Sequence, residues 1–314
     1  MKKGDKVAIV CCSNGLAPEE QEKIEQLRQK LAGFGLCPVL SSHLYTGTGV
    51  LSAAGMPLGA SIFSGTAMER AGSLMDFFRD KEIKAIFDVS GGDIANEILP
   101  FLDFGEIAAS EAVFCGYSDL TTVMNAIYAK TGKASVWYQA KNLVGKEEVC
   151  QCAGFETAFL SEEKPEVVKG SLFDISHVFL QGSFMRGVVV GGNIRCLLKL
   201  AGTPYWPDMK DKILFMEARS GSPAQMVAYL NQLKQMGVFA LVKGILLGTF
   251  LQLEKEERLW QEGMVRQKNP KGKYLSMADL VRRYAGTEIP IAQTADVGHR
   301  SNSRALWIGR EYHF

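Results

Sequence analysis

Ser118 stands in "FCGYSDLTTVMNAI", residues 114–127, between an apolar run and a stretch with helical spacing. A strand–turn–helix junction lifts a serine off the carboxyl edge of a sheet. It gives the exposed hydroxyl that a nucleophile needs, with backbone N–H groups at the helix start for a developing oxyanion. The G-x-S-x-G elbow uses this geometry. Here the pattern is G-Y-S-D-L, without the second glycine, and serine and aspartate also cap helices. The segment alone leaves nucleophile and cap both open.

A nucleophilic serine needs a base, and the chain has four histidines. His313 is next to the last residue and is expected to fray. His43 falls in a Gly/Ser-rich stretch, and His177 in "DISHVFL" is expected to be a packed structural side chain. His299, in "TADVGHRSN", follows a glycine beyond an expected strand, where open α/β sheets place ligands. It is the best base, though a lone loop histidine can simply be solvated. In "KILFMEAR", Glu217 abuts an apolar run and must be solvated or paired at the strand end. The order Ser118, Glu217, His299 matches one known serine–acid–histidine class. Cys115 is a rival nucleophile, but its place at the end of an apolar run points to an inert, buried thiol.

Two glycine pairs adjoin expected strand ends. Gly91-Gly92 in "DVSGGDIANEI" and Gly191-Gly192 in "VVVGGNIRCLL" could offer N–H groups to an anion, or could be tight turns. Neither completes a dinucleotide or nucleoside triphosphate motif.

The elements that must carry these residues follow from the pattern. Lys6 to Cys12, Cys37 to Leu40, Ile83 to Val89 and Ala112 to Cys115 read as strands. Helical stretches alternate with them: Pro18 to Phe34 with Ile24, Leu27, Leu31 and Phe34 on one face, Thr66 to Asp80, a stretch up to Leu102, and Leu120 to Lys130. Such alternation argues for a parallel sheet covered by helices on both faces. Residues 41–65 read as a long loop, and 140–175 as a charged connection with an edge strand. The second half continues with strands Gly187 to Val190, Asp211 to Met216, Phe239 to Leu247 and Ile289 to Ala292. Helices are expected from Ser222-Pro223 to Gln235 and from Ser276 to Tyr284, each behind a serine cap.

Composition bounds the class. The 314 residues suit two domains, and 47% hydrophobic residues supply a sizeable core. A formal net charge of +1 offers no field to recruit nucleic acid or an anionic membrane. No signal-peptide pattern and no apolar run of spanning length is present, so a soluble, cytoplasmic protein is expected. The seven cysteines, including adjacent Cys11-Cys12 and the pair Cys150 and Cys152, match neither a disulfide scaffold nor a structural zinc spacing.

At this point the residues resemble a family. "FCGYSDLT" looks like the nucleophile motif of the LD-carboxypeptidase family of serine peptidases, which includes the microcin C immunity-type hydrolases. "MERAGSLMDFFRDKEIKAIFDVSGGDIANEILPFLDF" is similar to the family's segment before the nucleophile. "VVVGGNIRCLLKLAGTPYWPDMKDKILFMEA" resembles the stretch ending in its acidic residue, and "PIAQTADVGHRSNSRALWIG" its histidine motif. The resemblance implies an N-terminal three-layer α/β/α domain with a parallel sheet, residues 1–140, carrying Ser118. A linker and edge segment, 141–185, would lead to a C-terminal swivelling β/α domain, 186–314, carrying Glu217 and His299. The oxyanion donors would be the backbone N–H of Asp119 and of Gly91 or Gly92. No cofactor or metal is implied, and a homodimer is.

The substrate stays open between a murein tetrapeptide losing its terminal D-alanine and an aminoacyl nucleotide amide. A non-catalytic two-domain binding protein, with Ser118 only a cap, is the reading from another class. "SGGDIANE" is closer to the immunity-type branch, while 140–185 looks short for that branch's substrate-binding region, which tips the reading toward the peptide. Arg186 and Arg195 are candidates for a substrate carboxylate, and Trp137, Tyr205 and Trp206 for a nucleobase.

Overall fold

A computed structural model describes residues 1–47, 62–161, 168–262, 264 and 274–314. Most of the loop expected at 41–65, and part of the connection at 140–175, lie outside the described residues. In chain order the strands are β1 (Lys6–Val10), β2 (Cys37–Leu40), β3 (Ile83–Asp88), β4 (Val113–Gly116), β5 (Ser135–Trp137), β6 (Val178–Gln181), β7 (Arg186–Asn193), β8 (Lys212–Ala218), β9 (Gly244–Phe250), β10 (Ile291–Gln293), β11 (Leu306–Ile308) and β12 (Glu311–His313).

They form two six-stranded sheets, ordered β11-β5-β4-β3-β1-β2 and β12-β7-β8-β9-β10-β6. The pairs among β1 to β5 are parallel, as are β7-β8, β8-β9 and β9-β10. The antiparallel strands β11, β12 and β6 close edges. This is a two-domain α/β fold with parallel-dominated sheets. The apolar run of β1 shows why the first sheet is sandwiched: Ala8 and Val10 enter the core on one face, Val7 and Ile9 the core on the other. A parallel strand covered on both sides has no solvent face, so its sequence does not alternate with polar residues.

The helices follow their caps and periodicity. Ile24, Leu27 and Leu31 are buried from helix Gln21–Gly33. Helix Ala67–Arg79 starts in a reciprocal capping box between Thr66 and Glu69 and buries Ala71, Leu74, Met75 and Phe78. Helix Pro223–Gln235 starts in another, between Ser222 and Gln225.

Several expectations are corrected. Residues Glu148–Phe155 form a helix rather than a bare connection, and the edge strand lies later, at β6. Val238–Leu241 is a short helix, and the strand expected from Phe239 runs instead from Gly244 to Phe250. Four helical residues are too few to display a period, so an apolar run there reads as strand. His313 is not frayed: it pairs within β12 opposite Arg186. The expected turn at Gly191-Gly192 lies inside β7, which continues to Asn193. A Cβ on Gly192, at φ +138°, would sit 2.5 Å from the Thr121 hydroxyl. Gly192 thus serves close packing between the halves, and Gly191 close packing on β8, where a Cβ would lie 2.2 Å from the Phe215 carbonyl.

That packing is hydrogen-bonded. From helix Thr121–Thr131, Asn125 Nδ2 donates to the Gly191 carbonyl at 2.8 Å, and the Gly191 N–H donates back to Asn125 Oδ1 at 2.9 Å. The Asn193 N–H donates to Thr121 Oγ1 at 3.0 Å. Asn125→Ala would leave a buried N–H and C=O of Gly191 unpaired. It should lower stability by about 2–3 kcal/mol, read as a lower urea midpoint; an unchanged midpoint would show that the Asn125–Gly191 pair does not join the halves.

Candidate functional site

β4 ends at Gly116, and Ser118 opens the short turn Ser118–Leu120 that leads into helix Thr121–Thr131. Ser118 has φ +54°, in the left-handed region; Asp211 is the other described non-glycine residue there. Such a conformation costs about 1–3 kcal/mol and persists only where the surroundings over-determine it. The surroundings do so through Asp119, which is fully buried. Its Oδ2 accepts from Ser13 Oγ at 2.7 Å and from the Ala95 N–H at 2.8 Å, and its Oδ1 accepts from Lys199 Nζ at 2.5 Å.

The glycine loop after β3 is built on a second buried carboxylate. Asp88 accepts from the N–H of Cys12 and of Ser90, and from Ser90 Oγ. Burial pushes this carboxyl up from its ordinary range, against the pull of those hydrogen bonds. The Ser13 N–H donates to Ser90 Oγ at 2.9 Å, so the β1 and β3 loops lock together. Gly92 has φ +133°, and a Cβ there would lie 2.2 Å from the Asn14 side chain, so only glycine fits. Arg70, almost fully buried in the helix before β3, donates to the carbonyl of Cys12 at 2.6 Å and to Glu97 at 2.6 Å.

Glu217 lies within β8 rather than beyond its end, and is fully buried. The parallel register sets Asn193 beside it, and Asn193 Nδ2 donates to Glu217 Oε1 at 2.9 Å. The other carboxylate oxygen, Oε2, faces His299 Nδ1 at 2.6 Å; a carboxylate can only accept, so Nδ1 carries the proton. The side chains are 3% and 0% exposed, so the pair is shielded from water. His299 Nε2 is buried and makes no hydrogen bond among the described residues. Its ring packs 5.1 Å from Tyr117, the residue before Ser118, and 6.1 Å from Trp137.

The structure therefore pairs Glu217 with His299 and sets the ring against the Ser118 turn. No Ser118–His299 hydrogen bond is formed. Ser118 is half-buried and lines a cavity of about 250 Å³ with Gly92, Asp93, Asn193, Arg195, Arg219 and Ser220. Larger clefts lie elsewhere; that of about 600 Å³, beside Lys84 and Glu111, is at the opposite, amino end of β3 and β4. Arg195 donates to Asp93 and to the Gly92 carbonyl. Arg219 is exposed, and among the described residues it has no ion-pair or hydrogen-bond partner.

Other candidates fall away from this place. Arg186 is at the far end of β7, paired with Glu311. Trp137 is buried against Phe215, and Tyr205 packs on Phe104. His43 bonds Ser73 at 2.9 Å, and His177 packs against Phe179 and Phe314. Sequence reasoning missed Ser13, Lys199 and Arg219, and gave Asn193 no role. Only strand register could have shown that Asn193 lies beside Glu217.

One family matches along most of the chain. Residues 7–138 match the model of the LD-carboxypeptidase N-terminal domain, and residues 186–314 that of the LD-carboxypeptidase C-terminal domain. The chain belongs to the LD-carboxypeptidase family of peptidases. A putative carboxypeptidase of Treponema pallidum is 27% identical, over 98% of this chain and 89% of the relative. A probable murein peptide carboxypeptidase of Bacillus subtilis is 28% identical, over 98% of this chain and 88% of the relative. Among solved structures, MccF in complex with glutamyl sulfamoyl guanosine superposes with a TM-score of 0.78 at 20% identity. That match covers 100% of this chain and 93% of the other, and supports the fold.

The rival nucleophile Cys115 is buried, and burial alone drives its thiol far above the ordinary range. Burial raises Cys196 similarly, and pushes Cys11 up to about 12. A protonated thiol out of contact with solvent is inert. Near neutral pH, iodoacetamide should modify the exposed Cys37 and Cys150 and spare Cys11, Cys115 and Cys196 until denaturant is added. Rapid alkylation of Cys115 in the folded protein, mapped by mass spectrometry, would restore it as a nucleophile.

Proposed function

We propose that this protein is a serine hydrolase that cleaves an amide bond next to a free carboxylate, with Ser118 as nucleophile, His299 as base and Glu217 as the orienting acid. The observation that carries the reading is the contact of 2.6 Å between Glu217 Oε2 and His299 Nδ1. It holds the proton on Nδ1 and leaves Nε2 as the acceptor, the atom a general base must present. Nε2 takes the Ser118 proton as Oγ attacks the carbonyl carbon. The proton then passes to the leaving amine, and the acyl-enzyme forms. A water, deprotonated in the same way, releases the acid. The oxyanion is met by the backbone N–H of Asp119 and of Gly91 or Gly92, with Gly92 in the same cavity wall as Ser118. The missing Ser118–His299 bond is compatible with a site whose hydrogen bonds tighten when substrate arrives.

Arg219 is the residue we assign to the substrate carboxylate, since its guanidinium has no carboxylate of its own and lines the cavity. The aromatic residues weighed for a nucleobase support the peptide substrate by their absence from that cavity. Trp137 is spent on the core behind His299, and Tyr205 on Phe104. The reading is therefore an LD-carboxypeptidase that releases D-alanine from murein tetrapeptides, acting in the cytoplasm as a homodimer in murein recycling. An aminoacyl nucleotide amide, in line with the ligand of the MccF structure, is the competing substrate.

Ser118→Ala should abolish turnover without loss of stability. His299→Ala should do nearly the same, since the members act as a unit, and Glu217→Gln should cost as much or less. A Ser118→Ala enzyme with undiminished turnover would refute the assignment and leave a binding protein.

Substrate choice is read by mass spectrometry on one preparation. The kcat/KM for D-alanine release from an L,D-linked tetrapeptide should exceed that for an aminoacyl sulfamoyl adenosine. Arg219→Gln should raise KM for the tetrapeptide about 10-fold, the equivalent of roughly 1.4 kcal/mol. The reverse order of kcat/KM would move the protein to the nucleotide-cleaving branch.

A further inference from the structure

The short helix Ile194–Leu198 carries a polar contact at each end. Before it, Asn193 caps the helix through the Cys196 N–H and donates to Glu217. After it, Lys199 reaches across to the first half of the chain. Its Nζ donates to Asp119 Oδ1 at 2.5 Å and to the Asp93 carbonyl at 2.8 Å. Asp119 follows Ser118, and Asp93 follows Gly92. One ammonium group thus binds both segments proposed to hold the oxyanion, one through the Asp119 side chain and one through the Asp93 carbonyl.

The charge matters as much as the reach. Asp119 is 0% exposed, so its carboxylate has no water to screen it. Ser13 and Ala95 donate to one of its oxygens, but neither carries a charge. Lys199 is the described cation within ion-pair distance. Without it, a buried carboxylate held only by two uncharged donors, with the Arg195 charge farther off, would stand one residue from the place where negative charge develops in acyl transfer. The ammonium is the less buried partner, 20% exposed, so a small solute has a route to its position.

We propose that Lys199 is a positioning residue: by pairing with Asp119 and the Asp93 carbonyl, it sets the spacing of the two oxyanion segments and cancels the Asp119 charge beside them. This rests on the serine hydrolase reading above. It adds a specific dependence of the nucleophile turn on the second half of the chain, through a side chain that touches no reacting atom.

The test is the rate at which a small uncharged fluorophosphonate labels Ser118, followed by intact mass and peptide mapping. This probe forms an oxyanion-like phosphoryl adduct and needs no knowledge of the natural substrate. Lys199→Met should label about 10- to 100-fold more slowly than the wild type. Lys199→Ala should be comparably slow, and added ethylammonium should restore a large part of the rate, without accelerating the wild type. Lys199→Arg keeps the charge and hence the fold, but cannot place one compact donor on both acceptors; it should label several-fold slowly. Wild-type rates for both Lys199→Met and Lys199→Arg would overturn the proposal while leaving Ser118 as nucleophile. If Lys199→Met fails to fold, a wild-type rate for Lys199→Arg overturns it alone. Slow Lys199→Ala labelling that ethylammonium does not relieve would reduce the contact to a structural one and also overturn it. Absence of any Ser118 adduct in the wild type, under conditions that label another serine hydrolase, would instead remove the hydrolase reading and this inference with it.

Discussion

A carboxylate at the centre of a sheet is the constraint on which the second half of this molecule depends. Glu217 is fully enclosed in β8, and an unpaired ion there would cost several kcal/mol. Each of its oxygens is met by one side chain, Asn193 on the next strand and His299 on the loop after β10. Those two contacts impose order well beyond themselves. Asn193 can reach only if β7 and β8 keep their register. His299 can reach only if its loop is held down. The Thr249 N–H donates to the Val297 carbonyl at 3.0 Å, and the Gly298 N–H to Ser303 Oγ at 3.0 Å.

The first half presents the mirror of this arrangement. Its buried carboxylates, Asp88 and Asp119, are met by backbone N–H groups, hydroxyls and one lysine. Together they tie the loops at the carboxyl ends of β1, β3 and β4 to one another. Buried polar networks of this kind are stabilising only when fully satisfied, so the loops that line the cavity have little freedom to drift. The halves are then joined by polar contacts at β7, by the apolar core that runs from Val10 and Phe114 to Phe215 and Leu246, and by the chain itself. After β10 of the second sheet the chain returns so that β11 pairs with β5 of the first, Leu306 opposite Trp137, before β12 rejoins the second. Residues near the C-terminus thereby stiffen the strand that carries Trp137 beneath the His299 ring.

Much of this was legible from residue types. Alternation of strand and helix named the α/β class, and the serine caps at Ser222 and Ser276 marked helix starts to within a residue. The "FCGYSDLT", "KILFMEAR" and "DVGHRSN" segments stood out because each sets a reactive side chain beside an apolar run. The rest was hidden for physical reasons. Asn193 and Lys199 act through partners 24 and 80 positions away, and nothing local to either encodes the register or the crossing that brings them there. Gly191-Gly192 look like a turn because glycine is the usual turn residue, whereas here the missing Cβ of Gly192 admits Thr121. The strands β5, β11 and β12 are three residues each, too short for any period to appear.

The central claim is that Glu217 fixes the tautomer of His299, with the proton on Nδ1 and Nε2 left without one. Nitrogen-15 NMR of the histidine side chains reads this directly, with the His299 resonances assigned by their loss in His299→Ala. With the ring neutral, the account predicts a protonated, strongly hydrogen-bonded Nδ1 whose downfield proton shifts in Glu217→Gln, and an unprotonated Nε2. A neutral ring carrying its proton on Nε2, or an Nδ1 signal indifferent to Glu217→Gln, would contradict it.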